Sequence, residues 1–324
     1  MNTIKLKCAF ILASLILICS GCGPSSSRKS QQNPEELKGT ISISGAFALY
    51  PMTVKWAEEF MKENPGVRID ISAGGAGKGM TDALSGMVDL GMVSREITQP
   101  EIDKGAWFIA VTKDAVLPTI SDKNPVLKDL LSKGFTKEMF QEIFLMEDPH
   151  TWGEYIAVPN TDKINVYTRS DACGAAEMWG KYLGKNQESL KGIGVFGDPG
   201  IADAVKNDKY SIGFNNVNYA FDLKSRRNYQ GLVVLPIDQN GNRMIDPEEN
   251  FYTDLDSLMQ AIQTGKYPSP PARDLYFVGN GKPDSPLVVA FLTWILEKGQ
   301  QYVHEAGYVQ LPEEKIAAEK QKLQ

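Results

Sequence analysis

Histidine is nearly missing from this chain: His150 and His304 are the only two in 324 residues. Catalytic designs that need several imidazoles, and histidine-rich metal sites, have almost nothing to draw on, so an enzyme is not expected. Cysteine is scarce and unevenly placed, with Cys8, Cys19 and Cys22 near the N-terminus and Cys173 alone beyond them. That excludes disulfide stabilisation within a monomer. A basic excess is lacking too, since 34 basic residues face 40 acidic ones for a net −6. Removing Lys5 and Lys7 with a leader leaves 32 against 40, or −8, which disfavours nucleic acid and anionic membrane as bulk-charge partners. What is present is ordinary for a globular protein, 42% hydrophobic and 23% charged residues, enough for one or two cores.

Residues 1–21 carry two lysines and an apolar run from Cys8 to Cys19, then Ser20-Gly21 before Cys22. The run is too short to span a bilayer and reads as a secretory signal. The small pair before Cys22 resembles the lipobox of bacterial lipoproteins, which implies cleavage before Cys22 and lipidation of its thiol, although Cys19 stands where Leu is usual. Residues 22–38 are polar, with Leu37 the one large apolar side chain, and cannot bury enough surface to offset their ordering entropy. A flexible tether of this kind reaches on the order of 20–24 Å, which would hold an exported domain just off a membrane.

From Thr40 the pattern is strand, helix, strand. Ile41 and Ile43 alternate with polar neighbours, Met52, Trp56 and Phe60 recur at helical spacing behind Pro51, and Val67, Ile69 and Ile71 alternate again. A glycine-rich turn over Gly74–Gly79, a short helix and the strand VDLGMV follow, then a capping box from Thr98 to Glu101. Val111–Ile120 reads as an extended crossing segment, Phe135–Phe144 as a helix and Leu232–Leu235 as a strand. The alternation predicts an α/β fold with crossover helices.

Three loops end at helix starts: Gly45–Pro51, Gly74–Gly79 and Arg169–Ala175. Unpaired N–H groups and the positive end of a helix dipole suit such places to an anion. Ser94-Arg95, past a strand end, is a fourth candidate. Nucleotide readings fail on spacing, because Ser72 stands where a P-loop needs its first glycine, Gly79 follows Lys78, and Met80 breaks the dinucleotide pattern.

The order SGAFALYP, WAEEFMKENPGV, SAGGAGKG, VDLGMVSREI and GVFGDPGIADAVKNDKYSIGFNNVNYA resembles the phosphate-binding proteins of bacterial phosphate ABC importers over roughly residues 40–300. The resemblance implies a two-lobed periplasmic-binding-protein fold (type II) closing on a small oxyanion, with residues 39–114 and 223–324 as lobe 1 and 115–222 as lobe 2. It implies delivery to the permease subunits of an ABC importer by a monomer that binds no nucleic acid. The alternative is a receptor of the same fold that senses or scaffolds without transport, its ligand changed or lost.

Carried over, the ligand-binding positions are Ala48, Leu49, Gly77, Lys78, Ser94, Arg95, Arg169, Cys173, Gly174 and Ala175. The family's Ser and Thr donors are replaced here by Ala46, Phe47 and Ala48, by Ala76, and by Cys173 and Ala175. A hydrogen bond to a charged group is worth about 1.5–3 kcal/mol, so losing about four donors forfeits on the order of 6–12 kcal/mol, or roughly four to eight decades of affinity. Phosphate is therefore expected to bind weakly, through backbone N–H groups and the three cations. Cys173 opens a helix, a position that lowers a thiol pKa, but no histidine is near it in sequence, and it reads as a small buried substitute for serine.

Outside that pattern, Asp238-Gln-Asn240-Gly-Asn242-Arg-Met244-Ile245-Asp246-Pro-Glu-Glu249 follows the twelve-residue calcium loop at positions 1, 3, 5, 8, 9 and 12. Asp238, Asn240, Asn242, the Met244 carbonyl, Asp246 and Glu249 are the expected ligands of a structural calcium, the one cofactor expected. Position 6, usually Gly, is Arg243; an Asn- and Asp-rich turn without metal is the other reading.

Overall fold

A computed structural model describes residues 36–148 and 150–324; Cys22, the leader and most of the tether lie outside the described residues. The first strand, β1 (Gly39–Gly45), leads through a short loop to α1 (Tyr50–Glu63), whose Met52, Trp56 and Phe60 are buried and whose first turn holds Pro51. Strand β2 (Val67–Ala73) buries Val67 and Ile69 while Arg68 and Asp70 face solvent. Next come α2 (Ala76–Leu84), β3 (Leu90–Val93) and α3 (Gln99–Asp103), the last opened by the capping box between Thr98 and Glu101. The expected turn over Gly74–Gly79 is shorter than read, because α2 already starts at Ala76. A Cβ at Gly79 would fall on the Met92 carbonyl and 2.9 Å from the Gly45 Cα, so glycine there lets the helix press on two strands rather than turn the chain.

Strand β4 (Ala106–Ser121) is followed by α4 (Leu127–Lys133), α5 (Lys137–Leu145), capped by Thr136, and α6 (Trp152–Ile156). The chain continues through β5 (Asn165–Arg169), α7 (Gly174–Tyr182), β6 (Ile193–Val195), α8 (Gly197–Asn207), β7 (Ser211–Asn216) and α9 (Val217–Ala220). A two-residue pair, β8 (Phe221–Asp222) and β9 (Arg227–Asn228), precedes β10 (Leu232–Val234), α10 (Leu255–Gln263), β11 (Ala272–Asn280), α11 (Pro286–Glu297) and α12 (Glu313–Gln321).

The main sheet runs β2-β1-β3-β11-β4-β7-β5-β6, with β10 paired to β4. Pairs of β1 with β2 and β3, and of β5 with β6 and β7, are parallel; those made by β4 and β11 are antiparallel. Strand β4 is long enough to serve both halves, pairing with β11 over Ala106–Ala115 and with β7 over Val116–Ile120.

Two apolar cores result. One gathers Ile41, Trp56, Phe60, Ile109, Phe277 and Phe291. The other gathers Leu117, Phe140, Trp152, Trp179, Phe214 and Leu258. Leu232, Leu235, Ile237, Phe251, Leu255 and Tyr267 pack in the second core, because β10 is held against the end of β4 through Val233 opposite Ile120. The return crossing is made by β11.

Candidate anion site

The loop between β1 and α1 turns on itself. Ala46 donates its N–H to the Met92 carbonyl at 2.9 Å, and the N–H groups of Leu49 and Tyr50 both return to the Ala46 carbonyl, at 3.1 and 3.2 Å. Ala48 and Leu49 are buried and the Ala48 carbonyl accepts the Tyr308 hydroxyl at 2.7 Å. The Leu49 N–H is thus already used by its own turn.

At α2 the expected anion position is taken by protein. The Gly77 N–H donates to the Ala172 carbonyl at 3.2 Å, so the loop before α7 seats on this helix N-terminus. Lys78 reaches along its helix to Asp82, which also accepts the Ser44 hydroxyl at 2.6 Å. Burial would raise the Asp82 pKa, yet Lys78 and Ser44 hold it below the usual range. Ser94 is buried at the end of β3, and a Cβ on Gly174 would fall on its hydroxyl and carbonyl oxygens. Glycine opens α7 because the two backbones meet there. Arg95 turns away to Glu101, giving 2.9 and 2.6 Å bonds to its two oxygens. Burial opposes ionisation of Glu101, but Arg95 and Thr98 together outweigh it and lower its pKa.

Arg169, at the end of β5, is the best enclosed cation, with 1% of its side chain exposed. Its Nε and Nη2 donate to Asp171 at 2.8 and 2.6 Å, and its Nη1 donates to Asp198 at 2.6 Å. Phe47 lies over the guanidinium at 5.6 Å and meets Phe196 edge-on at 6.0 Å. Burial works against the charged guanidinium, but Asp198 and Asp171 outweigh it and raise the Arg169 pKa. Asp171 in turn resists the effect of burial because Arg169 and the Gly197 N–H bind it, and its pKa is lowered. All three cations expected to hold an oxyanion, Lys78, Arg95 and Arg169, are therefore paired with carboxylates of this chain.

Cys173 caps α7, accepting the Ala176 N–H at 3.3 Å, while its own N–H donates to Gln187 Oε1 at 3.0 Å. Burial pushes its thiol up to about 12, correcting the expectation that the helix start would lower it; desolvation of a thiolate outweighs the dipole and Arg169. Ala175 follows it, also buried. The structure thus brings Gly77, Ser94, Arg169, Cys173 and Gly174 to one seam and directs Lys78 and Arg95 to carboxylates. Sequence reasoning missed Phe47 as a lid, and Asp171, Asp198, Asn216 and Arg273. Asp171 was legible as the acid two residues past Arg169; Asp198 lies 29 residues on, with no local signal.

In the 238–249 loop, Arg243 takes φ +69° and donates its N–H to Asp238 Oδ2 at 2.8 Å. Ile245 donates its N–H to the Ser132 carbonyl at 2.9 Å. Glu249 is turned inward, accepting the N–H of Gln239 at 2.8 Å. Asn240 and Asn242 direct their amide nitrogens at Asp246 Oδ2, at 2.9 and 2.8 Å, while the Met244 side chain is exposed. Among the described residues no three His, Cys, Asp or Glu side chains stand ready to hold a metal, and the Asn240 and Asn242 Oδ1 atoms accept the Asn242 and Met244 N–H groups at 3.0 and 2.9 Å.

Comparison with known proteins agrees with this architecture. The chain is 26% identical to the phosphate-binding protein PstS of Methanocaldococcus jannaschii, covering 95% of this chain and 90% of that protein. It is 25% identical to the phosphate-binding protein PstS of Bacillus subtilis, covering 96% of each. A substrate-binding protein from Clostridium perfringens, solved with phosphate bound, matches at TM-score 0.68 and 20% identity, over 85% of this chain and all of that one. An ABC-type phosphate transport receptor from Vibrio cholerae matches at TM-score 0.60 and 18% identity, over 84% and 100%. These are binding proteins, and their fold is the α/β periplasmic-binding-protein fold. The model of the PBP superfamily domain matches residues 30–298, a span that takes in most of both cores and every loop of the seam: this chain belongs to the periplasmic-binding-protein superfamily.

Proposed function

We propose that this protein is an extracytoplasmic solute-binding lipoprotein that takes a phosphate-like oxyanion between its two cores and delivers it to the permease subunits of an ABC importer. The observation that carries this reading is Arg169, a fully enclosed guanidinium at the seam where Gly77, Ser94 and Gly174 meet. The names of the phosphate-binding relatives favour the same ligand class. An oxyanion entering the opened seam would exchange with Asp171 or Asp198 on the guanidinium fork, which suits planar two-oxygen pairing. Because each cation already has a carboxylate, phosphate binds weakly. Titration calorimetry with inorganic phosphate tests this: heat that disappears in Arg169→Ala supports the reading, and nanomolar phosphate binding would overturn its weak-affinity part.

The same pairing favours a second reading, a receptor of this fold whose ligand has changed or been lost, since Asp171 and Asp198 satisfy Arg169 without any ligand. Neither reading involves turnover. A buried thiol at about 12 is a poor nucleophile, and its neighbours in the seam supply no histidine. In both readings the protein acts as a monomer, is held to the membrane through lipid on Cys22, and keeps the 238–249 loop as a structural calcium site.

A further inference from the structure

Arg273 of β11 stands opposite Asp114 of β4 in register, where the two strands pass from one core to the other. Val111 and Leu275 belong to the first core, Ala115 and Ala272 to the second. The Arg273 side chain is 3% exposed, yet its fork is not spent on the facing carboxylate. Its Nε donates to the Ser94 carbonyl at 3.2 Å and its Nη2 donates to Asn216 Oδ1, whereas Asp114 Oδ2 lies 3.6 Å away. Ser94 follows β3 in the first half, and Asn216 ends β7 in the second. Asn216 continues the chain of contacts, donating its Nδ2 to Asp198 Oδ1 at 2.5 Å, and Asp198 binds Arg169 through its other oxygen.

We propose that Arg273 is the positioning residue of the anion seam: from the crossing strand it binds Ser94 on one side and, through Asn216 and Asp198, Arg169 on the other, and so holds the seam shut. This rests on the anion-binding reading above, because the affinity it governs is that of the seam. A purely structural ion pair would point the guanidinium at Asp114. Instead Asp114 Oδ2 and Arg273 Nη1 are both buried without hydrogen-bond partners, a costly arrangement that follows from committing the fork to Ser94 and Asn216. The guanidinium holds its Nε and Nη2 donors on two separate nitrogens in one fixed plane, whereas an ammonium carries its three rotatable donors on a single nitrogen.

The Gly77 N–H reports closure directly, since it donates across the seam to Ala172. Hydrogen exchange on the full chain without ligand, in Arg273→Met, Arg273→Lys and Asn216→Ala, tests the proposal. Exchange across residues 74–80 and 172–177 should quicken at least tenfold in all three, with residues 106–112 and 274–280 of β4 and β11 still protected. Asp114→Asn should leave the seam at the wild-type rate. Uniform loss of protection in both Arg273 variants, with wild-type exchange at the seam in Asn216→Ala, would overturn it, as would unchanged seam exchange in all three. A parallel phosphate titration keeps the two ideas apart. Tenfold weaker binding in Arg273→Lys supports the link to affinity; if the wild type binds no phosphate, the ligand assignment fails while exchange alone decides the role of Arg273.

Discussion

Arg169 and Asp198 meet at 2.6 Å beneath the Phe47 ring, a carboxylate occupying one arm of the guanidinium that an incoming oxyanion would use. Neutralising that carboxylate should therefore help the ligand. In Asp198→Asn the amide oxygen still accepts from Asn216, but the charge competing for Arg169 is gone. Phosphate affinity is expected to rise roughly tenfold to hundredfold, since a hydrogen bond to a charged group is worth about 1.5–3 kcal/mol. Calorimetry with the variant checks this, and a fall in affinity would show that Asp198 serves the ligand rather than competes with it.

Removing the cation has the opposite character. Arg169→Ala leaves Asp171 and Asp198 buried with no compensating charge, and breaking such a pair costs about 3–5 kcal/mol. The variant should lose stability on that scale at neutral pH, read by denaturant midpoint. Part of the loss should return in mild acid, where the stranded carboxylates protonate. A loss independent of pH would point to packing around Phe47 instead.

How much of this was legible in the sequence depends on distance along the chain. Met52, Trp56 and Phe60 announced α1, and Thr98 with Glu101 announced the start of α3, because periodicity and capping are local. The pairing of β10 with β4 was not legible, because nothing near Leu232 announces a partner so far back in the chain. At the site, the loops before α2 and α7 were readable as helix starts, but their occupancy was not. Ala172 on Gly77, Asp198 on Arg169 and Arg273 on Ser94 join residues from separate strands. A list of basic residues cannot show which ones a carboxylate has already claimed.

Asp114 makes stability depend on acid. Burial pushes its carboxyl up to about 6, with Arg273 and the Ala115 and Val217 N–H groups opposing and Asp198 adding repulsion. A folded pKa above the unfolded value of about 3.9 means that the folded state binds the proton more tightly. This group alone therefore carries no penalty below about pH 4, and its penalty grows through pH 4–6 to a plateau above, on the order of 2–3 kcal/mol. Asp114→Asn should flatten that part of the profile and raise stability at pH 7. An unchanged slope between pH 4 and 6 would mean that the carboxyl is not strained.

Cys22→Ala should release the protein from membranes. Stable anchoring needs more than one acyl chain or a second signal, and the acidic balance of the chain gives no bulk-charge attraction to replace the lipid. Fractionation of cells expressing the variant checks this, with wild-type distribution counting against lipidation at Cys22.

Calcium should stabilise the 238–249 loop. The conformation that position 6 demands is already adopted, with Arg243 at φ +69°, although left-handed backbone costs a non-glycine residue on the order of 1–2 kcal/mol. That cost is offset where Arg243 donates its side chain to the Tyr155 carbonyl and its N–H to Asp238. Asp238 and Glu249 are buried at the two ends of the loop, and Ile245 ties its middle to Ser132. Asp246 already accepts the Asn240 and Asn242 amide nitrogens and would have to share its oxygens with the ion, so binding should be modest. Saturation at a hundredfold excess over the dissociation constant would add about 2.7 kcal/mol. Adding calcium to chelator-treated protein should therefore raise the melting temperature, and Asp238→Ala should abolish the increase. If calcium leaves the melting temperature unchanged, the loop is an asparagine-rich turn held by its own hydrogen bonds.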